Sequence, residues 1–177
     1  MKILRYLIIA VAVVLILMLA VAFFLPAKFT VERSAVIAAP AEQLYARFAK
    51  PRTWASWSAW TTKADPTLVY TYAGPDSGVG AVMSFSAKRM GDGELRIVEA
   101  SPAQAVGYEL RMKGSDMVVR GHVTFEPAGG GTKVTWQDRG DLGRNVLLRY
   151  LAPMLDKSLA AAYEKSFAGL RRETAGE

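Results

Sequence analysis

The chain contains no cysteine and one histidine, His122. Without thiols there is no disulfide framework, no thiolate nucleophile and no Cys-based zinc site. A solitary histidine rules out a multi-His metal centre. The missing cysteine says little about compartment, because a thiol-free domain works in either redox environment. Charge of one sign is also scarce. The net charge is +6 over 177 residues, and Lys2 and Arg5 flank an apolar run, so six minus two leaves +4 for the remainder. A surplus that small and that dispersed reads as solvated surface near an anionic membrane, and no nucleic-acid partner is expected. Nor is there a phosphate loop. Gly129-Gly130-Gly131 lacks the Lys-Ser/Thr ending and a following helix, so it reads as a hairpin turn.

What the chain does have is one long apolar run. From Tyr6 to Leu25 no charged residue occurs. At 1.5 Å rise, roughly 20 helical residues span about 30 Å, the hydrocarbon thickness of a bilayer. Ala20-Val21-Ala22 fits the small-x-small site of a cleavable signal. However, the run continues through Phe23, Phe24 and Leu25 and exceeds a usual signal core, so residues 1–28 are read as an uncleaved transmembrane anchor and linker. Charge before the helix slightly exceeds charge after it. That predicts a cytoplasmic N-terminus and a domain on the outer, periplasmic or extracellular side, with Lys28 and Arg33 weakening the asymmetry.

The remaining residues, 29–173, suit one domain with one core. Phe29 to Ile37 is β-branched and partly alternating, as a first strand would be. Pro40 then suits a first helical turn, Glu42 favours the helix N-terminus, and Ala41, Leu44 and Phe48 make an apolar stripe that Pro51 ends. Trp54, Trp57 and Trp60 follow at a spacing of three. The first two are read as core plugs and Trp60 as a residue that could touch a ligand.

Short alternating runs recur from Leu68 to Asp141, with turns predicted at residues 74–78, Gly91-Asp92-Gly93, Ser101-Pro102, residues 114–116 and the triple glycine. Such regularity predicts an antiparallel meander, wet on one face and covered on the other. Leu155, Leu159, Tyr163, Phe167 and Leu170 recur at helical spacing after Pro153, and Thr174 to Glu177 is read as a fraying tail. The long helix has to bury its stripe, and the apolar face of the sheet is the surface available.

Catalytic candidates are weak, and no catalytic residue is assigned. His122 shares a strand face with Arg120 and Thr124 and reads as a surface histidine. Glu94, Glu99, Asp138 and Asp141 are not spaced as a carboxylate pair on one face, and Asp138 with Arg139 reads as a surface ion pair. Tyr70, Tyr72 and Tyr108 could offer hydroxyls to a cavity, but read as core residues satisfied at the rim.

Taken in order, Ile37-Ala38-Ala39-Pro40-Ala41-Glu42, the segment Trp54 to Trp60, Gly78-Val79-Gly80, Gly91-Asp92-Gly93-Glu94, Gly131 to Trp136 and the helix ending in Phe167-Ala168-Gly169-Leu170 resemble the START-like, or SRPBCC, superfamily. The specific similarity is to its polyketide cyclase/dehydrase-type members, over about residues 29 to 172. The resemblance implies an α+β helix-grip fold, a curved antiparallel β-sheet wrapped around a long C-terminal α-helix, here behind an N-terminal transmembrane helix. It also implies a cavity for a hydrophobic small molecule or lipid. On the strand phases that cavity would be lined by Trp60, Met83, Phe85, Tyr108, Leu110, Val123, Trp136, Leu159 and Tyr163. No cofactor and no metal are expected. The leading reading is a membrane-anchored binding module rather than an enzyme. The alternatives are a cyclase- or dehydratase-type enzyme and a ligand-free structural or interaction domain.

Overall fold

The computed structural model describes residues 2–143 and 146–176. Helix α1 (Lys2–Phe24) carries the apolar run and stands almost wholly exposed, with Ala22 its one buried side chain among the described residues. It is long and apolar enough to cross a membrane over Ile3–Phe24, a property that signal sequences share. The chain then enters strand β1 (Lys28–Ile37), whose inward phase holds Phe29, Val31, Arg33, Ala35 and Ile37.

Pro40 holds an extended conformation ahead of helix α2 (Ala41–Ala49), which buries Leu44, Phe48 and Ala49. Lys50 is extended, as a residue preceding proline tends to be. The chain then folds through a 3-10 turn, Pro51–Thr53, into the short helix α3 (Trp54–Trp57). Six strands follow: β2 (Val69–Ala73), β3 (Val82–Ala87), β4 (Gly91–Ser101), β5 (Ala105–Met112), β6 (Val118–Ala128) and β7 (Gly131–Asp141). A 3-10 segment, Val146–Leu151, leads into helix α4 (Ala152–Ala175).

All neighbouring strands are antiparallel, in the order β1-β7-β6-β5-β4-β3-β2, so the first strand closes on the last. Curvature comes from glycines on the inner face. Gly93, Gly121 and Gly140 lie beneath the rings of Phe85, Tyr108 and Phe29, where an added Cβ would stand 2.5, 2.0 and 2.1 Å from ring carbons. Aromatic rings thus cover the bare backbone that lets the sheet bend. A register shift between Ile97 and Glu99 adds a bulge in β4.

Helix α4 lies across this inner face and runs in the same direction as β1. Arg171 Nη2 donates to the Val36 carbonyl at 3.4 Å, and Tyr163 reaches Asp138, whose strand partner is Val31. The core between them is aromatic and centred on Trp136. Its ring stacks on Tyr163 at 4.6 Å between centroids and is met edge-on by Phe48 at 5.2 Å and Trp54 at 5.6 Å. Trp57 is fully buried beside it. Gly169 of α4 lets the Trp57 carbonyl approach, and Ser166 Oγ accepts the Ala59 amide at 2.9 Å, so the tryptophan turn is bolted to the helix.

Three expectations change. The turn between β3 and β4 is Lys88–Met90, whereas Gly91, Asp92 and Gly93 belong to β4. The C-terminal tail remains helical through Ala175, with Thr174 Oγ1 bonded back to the Leu170 carbonyl at 2.9 Å. Asp138 is not part of a surface ion pair. It is 4% exposed and faces the helix, because it continues the inward phase of Val134 and Trp136 while Arg139 points out.

Candidate functional site

The inner face of the sheet has two kinds of floor. One row of register partners crosses five strands as Ile97, Tyr108, Gly121, Asp138 and Val31. Gly121 has no side chain, so the Tyr108 ring lies over it and its hydroxyl donates to Asp138 Oδ1 at 2.6 Å. Tyr163 of α4 donates to Asp138 Oδ2 at 2.5 Å, and Trp136 Nε1 donates to the Tyr108 oxygen at 2.8 Å. Every hydroxyl and indole proton of the cluster is therefore committed within it. Burial raises the Asp138 carboxyl above its ordinary value, outweighing the hydrogen bonds from Tyr108 and Tyr163 that pull it down. The same burial, with the nearby Asp138 charge, raises the Tyr108 and Tyr163 hydroxyls.

The neighbouring row crosses all seven strands as Tyr72, Met83, Leu95, Leu110, Val119, Gly140 and Phe29. The next one holds Tyr70, Phe85, Gly93 and Met112. Here the packing loosens. Tyr70, Tyr72, Phe85, Leu110, Met112 and Phe29 are only half-buried. Tyr70 donates to the Trp60 carbonyl at 2.8 Å, and burial pushes its hydroxyl up to about 12. The Arg52 guanidinium caps the Tyr72 ring at 4.4 Å.

Helix α4 shows the same gradient. Leu170, Phe167 and Tyr163 are fully buried, Leu159 and Leu155 half-buried, and Met154 exposed. Because α4 runs in the same direction as β1, its loose N-terminal half lies at the Phe29 end of the sheet, beside α1. The grip is thus closed where the aromatic cluster fills it and more loosely packed towards α1.

The nine residues expected to line a cavity divide accordingly. Met83, Tyr108, Val123, Trp136 and Tyr163 lie in the closed core, whereas Trp60, Phe85, Leu110 and Leu159 stand at its half-buried margin. Sequence reasoning read Asp138 as surface and left Met112, on the face shared by Tyr108 and Leu110, out of the lining residues. Their strand phase was the available signal, two residues beyond Trp136 and two beyond Leu110.

His122 is exposed, with Nε2 3.5 Å from Glu99 Oε2. It lies in a surface depression of about 750 Å³ lined mainly by outward side chains such as Arg120, Arg139 and Glu109. Among the described residues no group of three or more His, Cys, Asp or Glu side chains could hold a metal ion.

The family model described as polyketide cyclase/dehydrase and lipid transport matches residues 28–175. Protein CV1439 from Chromobacterium violaceum is 20% identical with TM-score 0.59, the match covering 80% of this chain and 94% of that one. Ara h 8.0201 is 15% identical with TM-score 0.61, covering 85% and 99%. The di-domain ARO/CYC BexL from the BE-7585A biosynthetic pathway is 16% identical with TM-score 0.59, covering 82% of this chain and 49% of that one. Identities this low establish a common fold alone. Comparison with curated proteins finds no match.

Proposed function

This chain belongs to the polyketide cyclase/dehydrase and lipid transport family, and from that membership we propose that it is a membrane-tethered module binding a hydrophobic or lipid-like small molecule between its sheet and helix α4. One observation carries the reading: along the inward stripe of α4 burial falls from fully buried Leu170, Phe167 and Tyr163 to half-buried Leu159 and Leu155, while the facing side chains Phe29, Leu110 and Met112 stay apolar and half-exposed. Apolar surface left open inside a fold is costly unless something covers it. Here the opening adjoins the helix read as the anchor, where a membrane-partitioned molecule is most concentrated. Lys2 and Arg5 in the first turns of α1 favour a cytoplasmic N-terminus, with the domain on the opposite side.

An enzymatic reading would centre on Asp138, the one buried carboxyl between two tyrosines. General acid-base work needs a group within reach of substrate. Both Asp138 oxygens are occupied, so a substrate would have to displace Tyr163 first, and binding remains the better-supported function.

Native mass spectrometry of the detergent-extracted full chain tests the proposal. Retained apolar adducts, and a melting temperature raised by added long-chain fatty acids, are expected. Repeated absence of adducts together with an unmoved melting temperature overturns it.

A further inference from the structure

Helix α1 has no basic residue in its last turn, so nothing on the helix itself offsets the partial negative charge of its terminal carbonyls. Arg149, from the 3-10 segment before α4, supplies that cation. Its Nη1 donates to the carbonyls of Ala22, Phe23 and Leu25 at 3.3, 3.1 and 3.3 Å. The adjacent Tyr150 hydroxyl donates to the Met18 carbonyl at 2.7 Å. Met18 lies six residues before the end of α1 at Phe24, about 9 Å back along the axis at 1.5 Å per residue. The segment therefore runs alongside the last turns of α1 rather than merely above them, at the level of the buried Ala22.

The outward side of this segment is apolar. Leu147, Tyr150 and Met154 are 52, 38 and 66% exposed, and the segment that carries them is hydrogen-bonded along an end of α1 whose Phe23 and Phe24 are 69 and 91% exposed. An arginine and a tyrosine bound near a helix end, with exposed aliphatic side chains beside them, match the chemistry of a bilayer interface. There a guanidinium reaches the headgroups, an aromatic ring sits at their level and aliphatic chains enter the acyl boundary.

We infer that the segment from Val146 to Met154 is a second membrane element, seated in the bilayer interface beside α1 and holding the open end of the grip against the lipid. The inference rests on reading α1 as membrane-spanning, and it adds that the domain sits flush on the bilayer rather than swinging on a tether. Its occupant is lipid, argued from the attachment of the segment to α1 and from the depth at which Tyr150 is bound.

The cysteine-free chain makes the test clean. Single variants Leu15→Cys, Met154→Cys and Arg172→Cys of the full chain, each labelled with an environment-sensitive fluorophore, are reconstituted in vesicles of phosphatidylcholine and phosphatidylglycerol. Quenching by brominated acyl chains is then read. Loss of emission is expected at positions 15 and 154 and none at 172, which is exposed near the far end of α4. Adding Arg149→Gln should restore emission at 154 while leaving quenching at 15 intact.

Quenching at 15 without quenching at 154 overturns the inference and leaves the anchor standing. Absence of quenching at 15 removes the anchor reading, and the inference with it. Shielding of position 154 from aqueous iodide without quenching by brominated lipid identifies a protein contact, such as a second copy, and also overturns it.

Discussion

Tyr108 and Asp138 stand two strands apart, and the ring of the first crosses the bare backbone of Gly121 to place its hydroxyl 2.6 Å from the carboxylate of the second. Tyr163 closes the arrangement from the helix side. A buried carboxyl thereby pins the helix to the middle of the sheet and divides the closed half of the grip from the open half.

Gly121→Ala should break this link. The new Cβ would stand 2.0 Å from Tyr108 Cζ, so the ring must leave. Overpacking of this kind costs about 1–3 kcal/mol, and each buried polar group left without a partner costs about 1–3 kcal/mol more. Thermal unfolding of the detergent-solubilised chain should show the loss. Combined with Tyr108→Phe, the penalty should fall short of the sum of the two single changes, because both act on one bond. Strict additivity would mean that Tyr108 does not lie over Gly121.

Asp138 also sets a pH dependence with a definite sign. Its folded value lies above the ordinary 3.8, so the folded state holds the proton more tightly than the unfolded chain does. The stability linked to Asp138 is therefore greatest below 3.8 and is lost as pH rises through the folded value. Asp65 acts in the opposite sense. Hydrogen bonds from the Thr67 hydroxyl, the Arg89 amide and the Thr67 amide hold it low, and their contribution is lost as pH falls. Asp138→Asn should gain on the wild type as pH rises from about 4, and Asp65→Asn should lose most against it at neutral pH. Parallel stability curves for Asp138→Asn and wild type would contradict the first assignment.

Much of the fold was legible because its signals are local. The alternation of Val119, Val123 and Phe125, the Pro40 helix start and the stripe from Leu155 to Leu170 each fall within one element. The Asp138 cluster was not. Its members Tyr108, Asp138 and Tyr163 are 30 and 25 residues apart, and only the sheet register brings them together. The alternation did place Asp138 inward, but a carboxyl at that phase reads as solvent-facing unless its hydroxyl partners are known. The β1–β7 closure was invisible for the same reason, since its partners lie at opposite ends of the domain. Of the turn glycines proposed at 91 and 93, Gly91 closes the Lys88–Met90 turn with a φ of 79°, whereas Gly93 serves curvature under Phe85.

Gly169→Ala should separate α4 from α3. A Cβ there would meet the Trp57 carbonyl oxygen at 2.0 Å, and backbone cannot move aside as a side chain can. A loss of about 1–3 kcal/mol is expected, with altered near-ultraviolet dichroism from the tryptophan cluster. Unchanged dichroism and stability would show that the contact is looser than described.

Truncations along α4 should report the gradient directly. Phe167→Ala, in the closed half, should cost about 3–5 kcal/mol, and Leu159→Ala, at the open margin, less than about 2 kcal/mol. Equal costs would place Leu159 in a sealed core and remove the opening.

The most direct measurement is photocrosslinking of the full chain with a diazirine-bearing long-chain fatty acid, followed by peptide mapping. Adducts should fall on the peptides carrying Phe29, Leu110, Met112 and Leu159, and should diminish when Leu159 is replaced by Glu. Adducts confined to the outer face around His122 and Arg139, or adducts that persist undiminished under excess unlabelled fatty acid, would contradict a hydrophobic ligand held between the sheet and helix α4.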